Sequence, residues 1–217
     1  MRGRSDSSKS ARAQRGMSMV ELVVVFGIVA VVATLAIPQL VGMRRNLRAS
    51  AVPMEIKAQL RFARQTAMGR RRAVTFTYRT DIHELSVIEH DGVGAAVLND
   101  PAYPLTAGHT NLRSIPLAPT GSSGGSPSDH IAYGLPSGAT TQPLDDTTTL
   151  TAPSNNRVNI TFQPDGSVVD AAGATRNVAM MFYHPDHPEA TLRAVSVLGA
   201  SGRVKSWRYT DANTFVE

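Results

Sequence analysis

Arg15-Gly16-Met17-Ser18-Met19-Val20-Glu21 opens an apolar run that extends to Met43. From Leu22 to Ile37 there is no charge, no Asn and no Gln, and only Gly27 and Thr34 interrupt a row of Val, Leu, Ile, Ala and Phe. As a helix rising about 1.5 Å per residue, Met17 to Gly42 would extend about 39 Å, enough to cross a hydrocarbon core of ~30 Å. One carboxylate, Glu21, stands near the start of that helix with no basic side chain beside it. A carboxylate at mid-bilayer costs on the order of 2.5–3.5 kcal/mol on insertion scales, so an intramembrane acid points to a function.

The question is what neutralises Glu21. A cut between Gly16 and Met17 would create an α-amino group four residues before it, positively charged below a pKa of about 8 and able to pair with the carboxylate of its own or a neighbouring subunit. The pattern of a basic leader, Gly, an apolar residue, three further residues and Glu before an apolar helix resembles the type IV prepilin signal. That resemblance implies cleavage after Gly16 by prepilin peptidase and N-methylation of Met17, with Glu21 serving assembly. Members usually carry Phe where this chain has Met17, a departure that keeps a large apolar side chain; Pro38 falls where pilin helices commonly bend. An ordinary membrane anchor accounts for the apolar run but not for Gly16 and Glu21. A cleaved secretory signal, with a weak site at Thr34-Leu35-Ala36, accounts for the basic start but not for a carboxylate opening the apolar region. A core helix of a soluble protein would need partners on every face.

Charge is unevenly divided. The net +5 and the pI near 10.0 suggest a nucleic-acid partner until the chain is cut into segments. Residues 1–16 hold five bases against Asp6, residues 44–72 hold nine against Glu55, and residues 73–217 hold eight bases against fourteen acids. The basic material is thus a leader and a collar on a stem, and the C-terminal body is acidic. With no Cys in 217 residues, disulfides and thiolate metal sites are excluded. The positive leader is expected to stay in the cytoplasm, which places the body in the periplasm. Arg44, Arg45 and Arg48, just past the span, suit phospholipid head groups.

The fold class expected is α+β: one long N-terminal helix, membrane-spanning over 17–43 and amphipathic over 44–72, packed on an antiparallel β-rich head, 73–217. Val52, Ile56, Leu60, Ala63 and Ala67 recur at helical spacing and mark the packing face, with Arg61 and Arg64 off it; Pro53 predicts a kink or short break. Arg70, Arg71 and Arg72 close the helix where cations complement its dipole. Alternation of Val74, Phe76 and Tyr78, then of Leu85 and Val87, predicts a hairpin. Residues 92–156 are rich in Gly, Pro, Ser and Thr, with Gly121 to Pro127 as a low-complexity centre, and read as a long loop with edge strands at Ile115–Leu117 and Ile131–Leu135. Alternation at Val158, Ile160 and Phe162, the turn Gln163-Pro164-Asp165-Gly166, and apolar stretches at 177–183, 192–198 and 203–209 predict an antiparallel meander.

Phe162-Gln163-Pro164-Asp165-Gly166-Ser167, an apolar strand, and Val197-Leu198-Gly199-Ala200-Ser201-Gly202-Arg203-Val204-Lys205 resemble the GspH/FimT family of minor pseudopilins of type II secretion and minor pilins of type IV pili. The resemblance implies a subunit that is not an enzyme. Its partners would be prepilin peptidase, major and minor pilins or pseudopilins, an inner-membrane assembly platform and the bilayer. No nucleophile elbow, P-loop, dinucleotide fingerprint or zincin helix is present, so no catalytic residue, cofactor or metal site is assigned. His184-Pro185-Asp186-His187-Pro188-Glu189 is expected to be a solvent-exposed turn, and Asp145-Asp146 a solvated loop. One cationic strand stands out: on β spacing Arg203 and Lys205 share a face with Trp207 and Tyr209, next to Arg208. Cations interleaved with aromatics suit nucleic acid, and some pilin-like relatives in DNA uptake carry Gly-Arg-x-Arg at the matching place; here the second Arg is Lys205, which lacks the bidentate fork. The alternatives are therefore a DNA-binding minor pilin and, more distantly, a membrane-tethered periplasmic enzyme or sensor.

Overall fold

The computed structural model describes residues 19–91, 108–117, 131–139, 144, 149–170, 172–210 and 214–217, with the side chains of 37–49 left aside. The chain divides into two compact units, residues 1–42 and 43–217. Helix α1, Met19–Arg70, contributes to both. It runs continuously through Pro53, so of the kink or short break expected there the break is absent. In the first unit, Met19–Ala36 has a mean hydropathy of 2.6 and none of it is buried. Its one hydroxyl, on Thr34, donates to the Val31 carbonyl (2.7 Å) and so makes no demand on an apolar surrounding.

In the second unit the predicted stripe faces inward. Ile56, Leu60, Ala63 and Ala67 are fully buried and Val52 nearly so. They pack on two antiparallel sheets. Strands β1 (Val74–Arg79), β2 (Glu84–His90), β3 (His109–Pro116) and β5 (Arg157–Phe162) form the first, in the order β3-β2-β1-β5. Strands β4 (Ala132–Tyr133), β6 (Val178–Tyr183), β7 (Arg193–Leu198), β8 (Arg203–Tyr209) and β9 (Phe215–Val216) form the second, in the order β4-β6-β7-β8-β9. The core between helix and sheets takes Phe76, Tyr78, Ile160 and Phe162 from the first sheet and Val178, Met180, Phe182 and Val204 from the second. The α+β architecture expected from the sequence is the one observed.

Local departures have physical causes. The helix ends at Arg70, not Arg72, because Arg71 turns into the left-handed region (φ 54°) and the Arg72 N–H returns to the Ala67 carbonyl (3.3 Å). Arg70 and Arg72 then pair with Glu89 on β2, and Arg72 also with Asp91 (3.1 Å), which ties the helix end to the first hairpin. Within the stretch read as a long loop, β3 runs over eight residues and pairs along β2, with one bulge at Val87/Ile88. Its sequence hides it: the exposed positions of an edge strand carry polar residues and do not alternate cleanly. β3 and β4 are edge strands, as expected. The low-complexity segment 121–127 and Asp145-Asp146 lie outside the described residues.

In the connection from β6 to β7, Pro185, Asp186, His187 and Glu189 are exposed as expected, and His184 departs from the expectation. His184 is buried, its Nδ1 accepting the Asp186 N–H (3.2 Å), and a short helix α2, Pro188–Thr191, follows. The hydroxyl of Thr191 accepts the His184 N–H (2.8 Å) and donates to the His187 carbonyl (2.6 Å), which closes the turn on itself. Among the described residues no three His, Asp or Glu side chains converge as a metal site would require.

Candidate functional site: the amino-terminal segment and a basic cleft

Gly16 and Met17 lie outside the described residues. Glu21 stands in the first turn of α1, where the dipole of the helix favours a negative charge, and is solvent-exposed on the isolated chain. Around it the helix offers only apolar surface: Val20, Leu22, Val24, Val25, Phe26 and Ile28 are all exposed. A stripe can satisfy one partner; a helix apolar on every face needs lipid or other helices all round.

The second site is in the head. A cleft of about 630 Å³ runs between α1 and the start of β8. Its helix wall carries Lys57, Arg61 and Arg64, at the i, i+4, i+7 spacing that puts three residues on one face. Arg203 faces them from β8, and Glu217 is the acid of the lining. Ser201 and Gly202, from the turn before β8, also line the cleft, and a second turn lies against Gly202 and Arg64. At Gln163-Pro164-Asp165-Gly166 the Gly166 N–H returns to the Gln163 carbonyl (2.8 Å), with Gly166 at φ 84°. Asp165 accepts the Ser167 N–H (2.9 Å) and hydroxyl (2.7 Å), bonds that hold its carboxyl below the usual range. At the turn before β8 Gly202, φ 61°, is so close that a Cβ there would fall on the Gly166 carbonyl and on the Arg64 side chain. Arg64 Nε donates to that same carbonyl at 3.4 Å. The turns that separate β5 from its return segment and β7 from β8 are thus pressed together under one helix arginine.

The strand singled out from sequence is laid out differently from a nucleic-acid platform. Arg203 is exposed and lines the cleft. Lys205 pairs with Glu217 (3.6 Å) and sits 5.0 Å from the Trp207 ring centroid. Trp207 is half-buried, and its indole N–H donates to Ser196 (2.8 Å). Tyr209 is buried against Phe215, ring centroids 5.1 Å apart. Arg208 points to the opposite face, as alternation requires. The shared face of 203, 205, 207 and 209 is real, but its aromatics are built into a second apolar cluster with Met181, Leu192 and Ala194. Sequence reasoning missed Lys57, Arg61 and Arg64 as partners of Arg203. Their spacing on the helix was visible, but the chain separation of about 140 residues hid the encounter.

Residues 11–37 match the family model described as the prokaryotic N-terminal methylation motif. The chain carries a prepilin-type N-terminus. The matched segment includes Gly16, Met17 and Glu21 and ends one residue beyond the apolar window Met19–Ala36. No curated protein matches the chain. Two crystal forms of the type IV minor pilin FimU of Pseudomonas aeruginosa, strain PAO1, are similar to it at 15% identity and a TM-score of 0.40. They cover 77% of this chain and 92% and 97% of the FimU chains.

The interlocked turns give a first prediction. Gly202→Ala meets both a positive φ and a backbone collision with Gly166, so it should cost about 2–4 kcal/mol. Thermal unfolding of the purified protein measures it. An unchanged melting temperature would mean that the two turns are not in contact.

Proposed function

We propose that this chain is a minor subunit of a type IV pilus or a type II secretion pseudopilus, made as a precursor and assembled through its N-terminal helix. The observation that carries the reading is the coincidence of the methylation motif at 11–37 with a helix that is apolar and exposed on all sides from Met19 to Ala36. In this reading residues 1–16 remain in the cytoplasm, the apolar helix holds the precursor in the inner membrane, and the head lies in the periplasm. Prepilin peptidase cuts after Gly16 and methylates Met17. The new α-ammonium and Glu21 neutralise one another, within one subunit or between neighbours, while the apolar surfaces of adjacent helices bundle. The partners are other pilins or pseudopilins and the inner-membrane platform. The work is assembly rather than catalysis.

N-terminal mass spectrometry of the mature protein should find N-methyl-Met17. A start at Ile37, or an intact Met1 in cells with active peptidase, would exclude the reading. Glu21→Ala should leave processing and membrane insertion intact and reduce incorporation into filaments, measured as the sheared filament fraction by immunoblot. A carboxylate merely tolerated in the bilayer would give the reverse, unchanged or improved assembly, because an insertion cost has been removed.

A second reading, DNA binding by the head, is favoured by the cleft that brings Arg203 to Lys57, Arg61 and Arg64. Neutralising about three phosphates would give a log–log salt slope of about −3 for duplex DNA. Arg61→Ala combined with Arg203→Ala should flatten that slope by about two units and weaken binding alike for all sequences. Identical binding by the double variant at matched salt would remove the cleft from consideration.

A further inference from the structure

Beside the cleft lies a smaller notch of about 180 Å³, where the helix stem meets β7 and β8. Pro53 and Met54 line it from α1, and Trp207 from β8; Met54 is 69% exposed. Arg193 and Arg208, register partners across β7 and β8, complete it. Like charges directly opposite one another in a sheet are destabilising. Arg193 is half-buried, and both its burial and the neighbouring Arg208 guanidinium disfavour its charge. It spends Nη1 on the carbonyls of Ala190 (3.1 Å) and Leu192 (2.9 Å). Among the described residues neither arginine forms an ion pair, and Glu217 at the rim is paired with Lys205.

We propose that this notch, with Arg193 and Arg208 side by side against the Pro53 and Met54 surface, binds the headgroup of an anionic phospholipid. Three observations converge on that occupant. Two guanidinium groups forced together are relieved by an anion between them, and their planar forks match phosphate oxygens. The apolar wall suits an amphipathic ligand better than a bare anion. The notch is also built from the helix that carries the apolar span, a few residues after Arg44, Arg45 and Arg48 in the sequence, on a head whose remaining charge is acidic. A long nucleic acid must pass over that acidic surface, whereas a single headgroup meets only the arginine pair. The choice of occupant rests on the membrane reading of Met19–Ala36, whereas the titration below reads the arginine pair alone and leaves the mass-spectrometric test of that reading untouched.

Trp207 is the single tryptophan of the chain, so its emission reports on the notch. The full chain in non-ionic detergent is titrated with short-chain phosphatidylglycerol below its micellar concentration. Parallel titrations use short-chain phosphatidylcholine, inorganic phosphate and a short oligothymidylate. A saturable change is expected with phosphatidylglycerol, at concentrations at least tenfold below those needed for the other three. Arg208→Gln should weaken it about tenfold, the loss of one charge-assisted contact. Arg208→Lys, which keeps the charge but loses the fork, should weaken it by less than Arg208→Gln does, and Arg203→Gln, in the neighbouring cleft, should leave it unchanged. Arg208 is exposed, so folding is retained, checked by circular dichroism. An equal response to phosphatidylcholine (plain partitioning), to inorganic phosphate (a free-anion site) or to oligothymidylate (a nucleic-acid site), or wild-type behaviour of Arg208→Gln, overturns the proposal.

Discussion

A carboxylate at the head of an otherwise uncharged apolar helix must be compensated, and a helix apolar on every side must be surrounded; these two demands govern the N-terminal segment. Glu21 cannot be left alone in hydrocarbon without a cost of about 2.5–3.5 kcal/mol. Val, Leu and Phe on all faces of Met19–Ala36 cannot be left in water, since each such side chain contributes about 1.5–3 kcal/mol when buried. Past residue 43 the same helix obeys a different rule. Apolar groups shrink to one stripe, Ile56 to Ala67, cations occupy the other faces, and the stripe buries on two sheets. The change from all-round to one-sided apolarity marks where one element stops needing lipid or other helices and starts needing its own head.

The stripe also decides where the cations end up. With Ile56, Leu60, Ala63 and Ala67 turned inward, Lys57, Arg61 and Arg64 fall along one flank, beside β8. Lys57 bonds to Ser206 (3.0 Å) and Arg64 to Gly166, so the flank is latched to the sheet at two levels. Further round the helix Gln59 accepts from Arg113 of β3 (3.2 Å), which also lies 4.4 Å from the Phe62 ring centroid. One helix thereby organises both sheets, by apolar contact on its inner face and by polar contact along its margins.

Much of this was legible because periodicity is a local property. The stripe from Val52 to Ala67, the β1–β2 hairpin and the meander of β6, β7 and β8 were all present as spacing in the chain. What was not legible depends on neighbours distant in sequence. Pro53 stays in the helix although it removes a backbone donor, and it lies buried. β3 could not be read over its full length because its outward positions carry Asn, Arg and Ser, and its existence rests on β2 lying beside it. His184 looked solvated by its Pro- and Asp-rich company, yet Thr191 folds the turn over it. The strand of Arg203 showed its alternation correctly, but not that Tyr209 and Trp207 face a second apolar cluster, nor that Arg203 answers to a helix flank.

The two pressed turns have a consequence for how the chain can vary through time. Gly166, Gly202 and Arg64 come from three separate regions of the sequence but share one contact, in which a single added methyl would displace a carbonyl that the arginine also holds. None of the three can drift alone. A lineage that lengthens or reshapes one turn must rebuild the other and find a new residue for the helix position, so descent should preserve or replace them as a set. The constraint reaches one step further, since Gly199 in the same β7–β8 turn stands so close to the Arg176 backbone that an added methyl would collide there too.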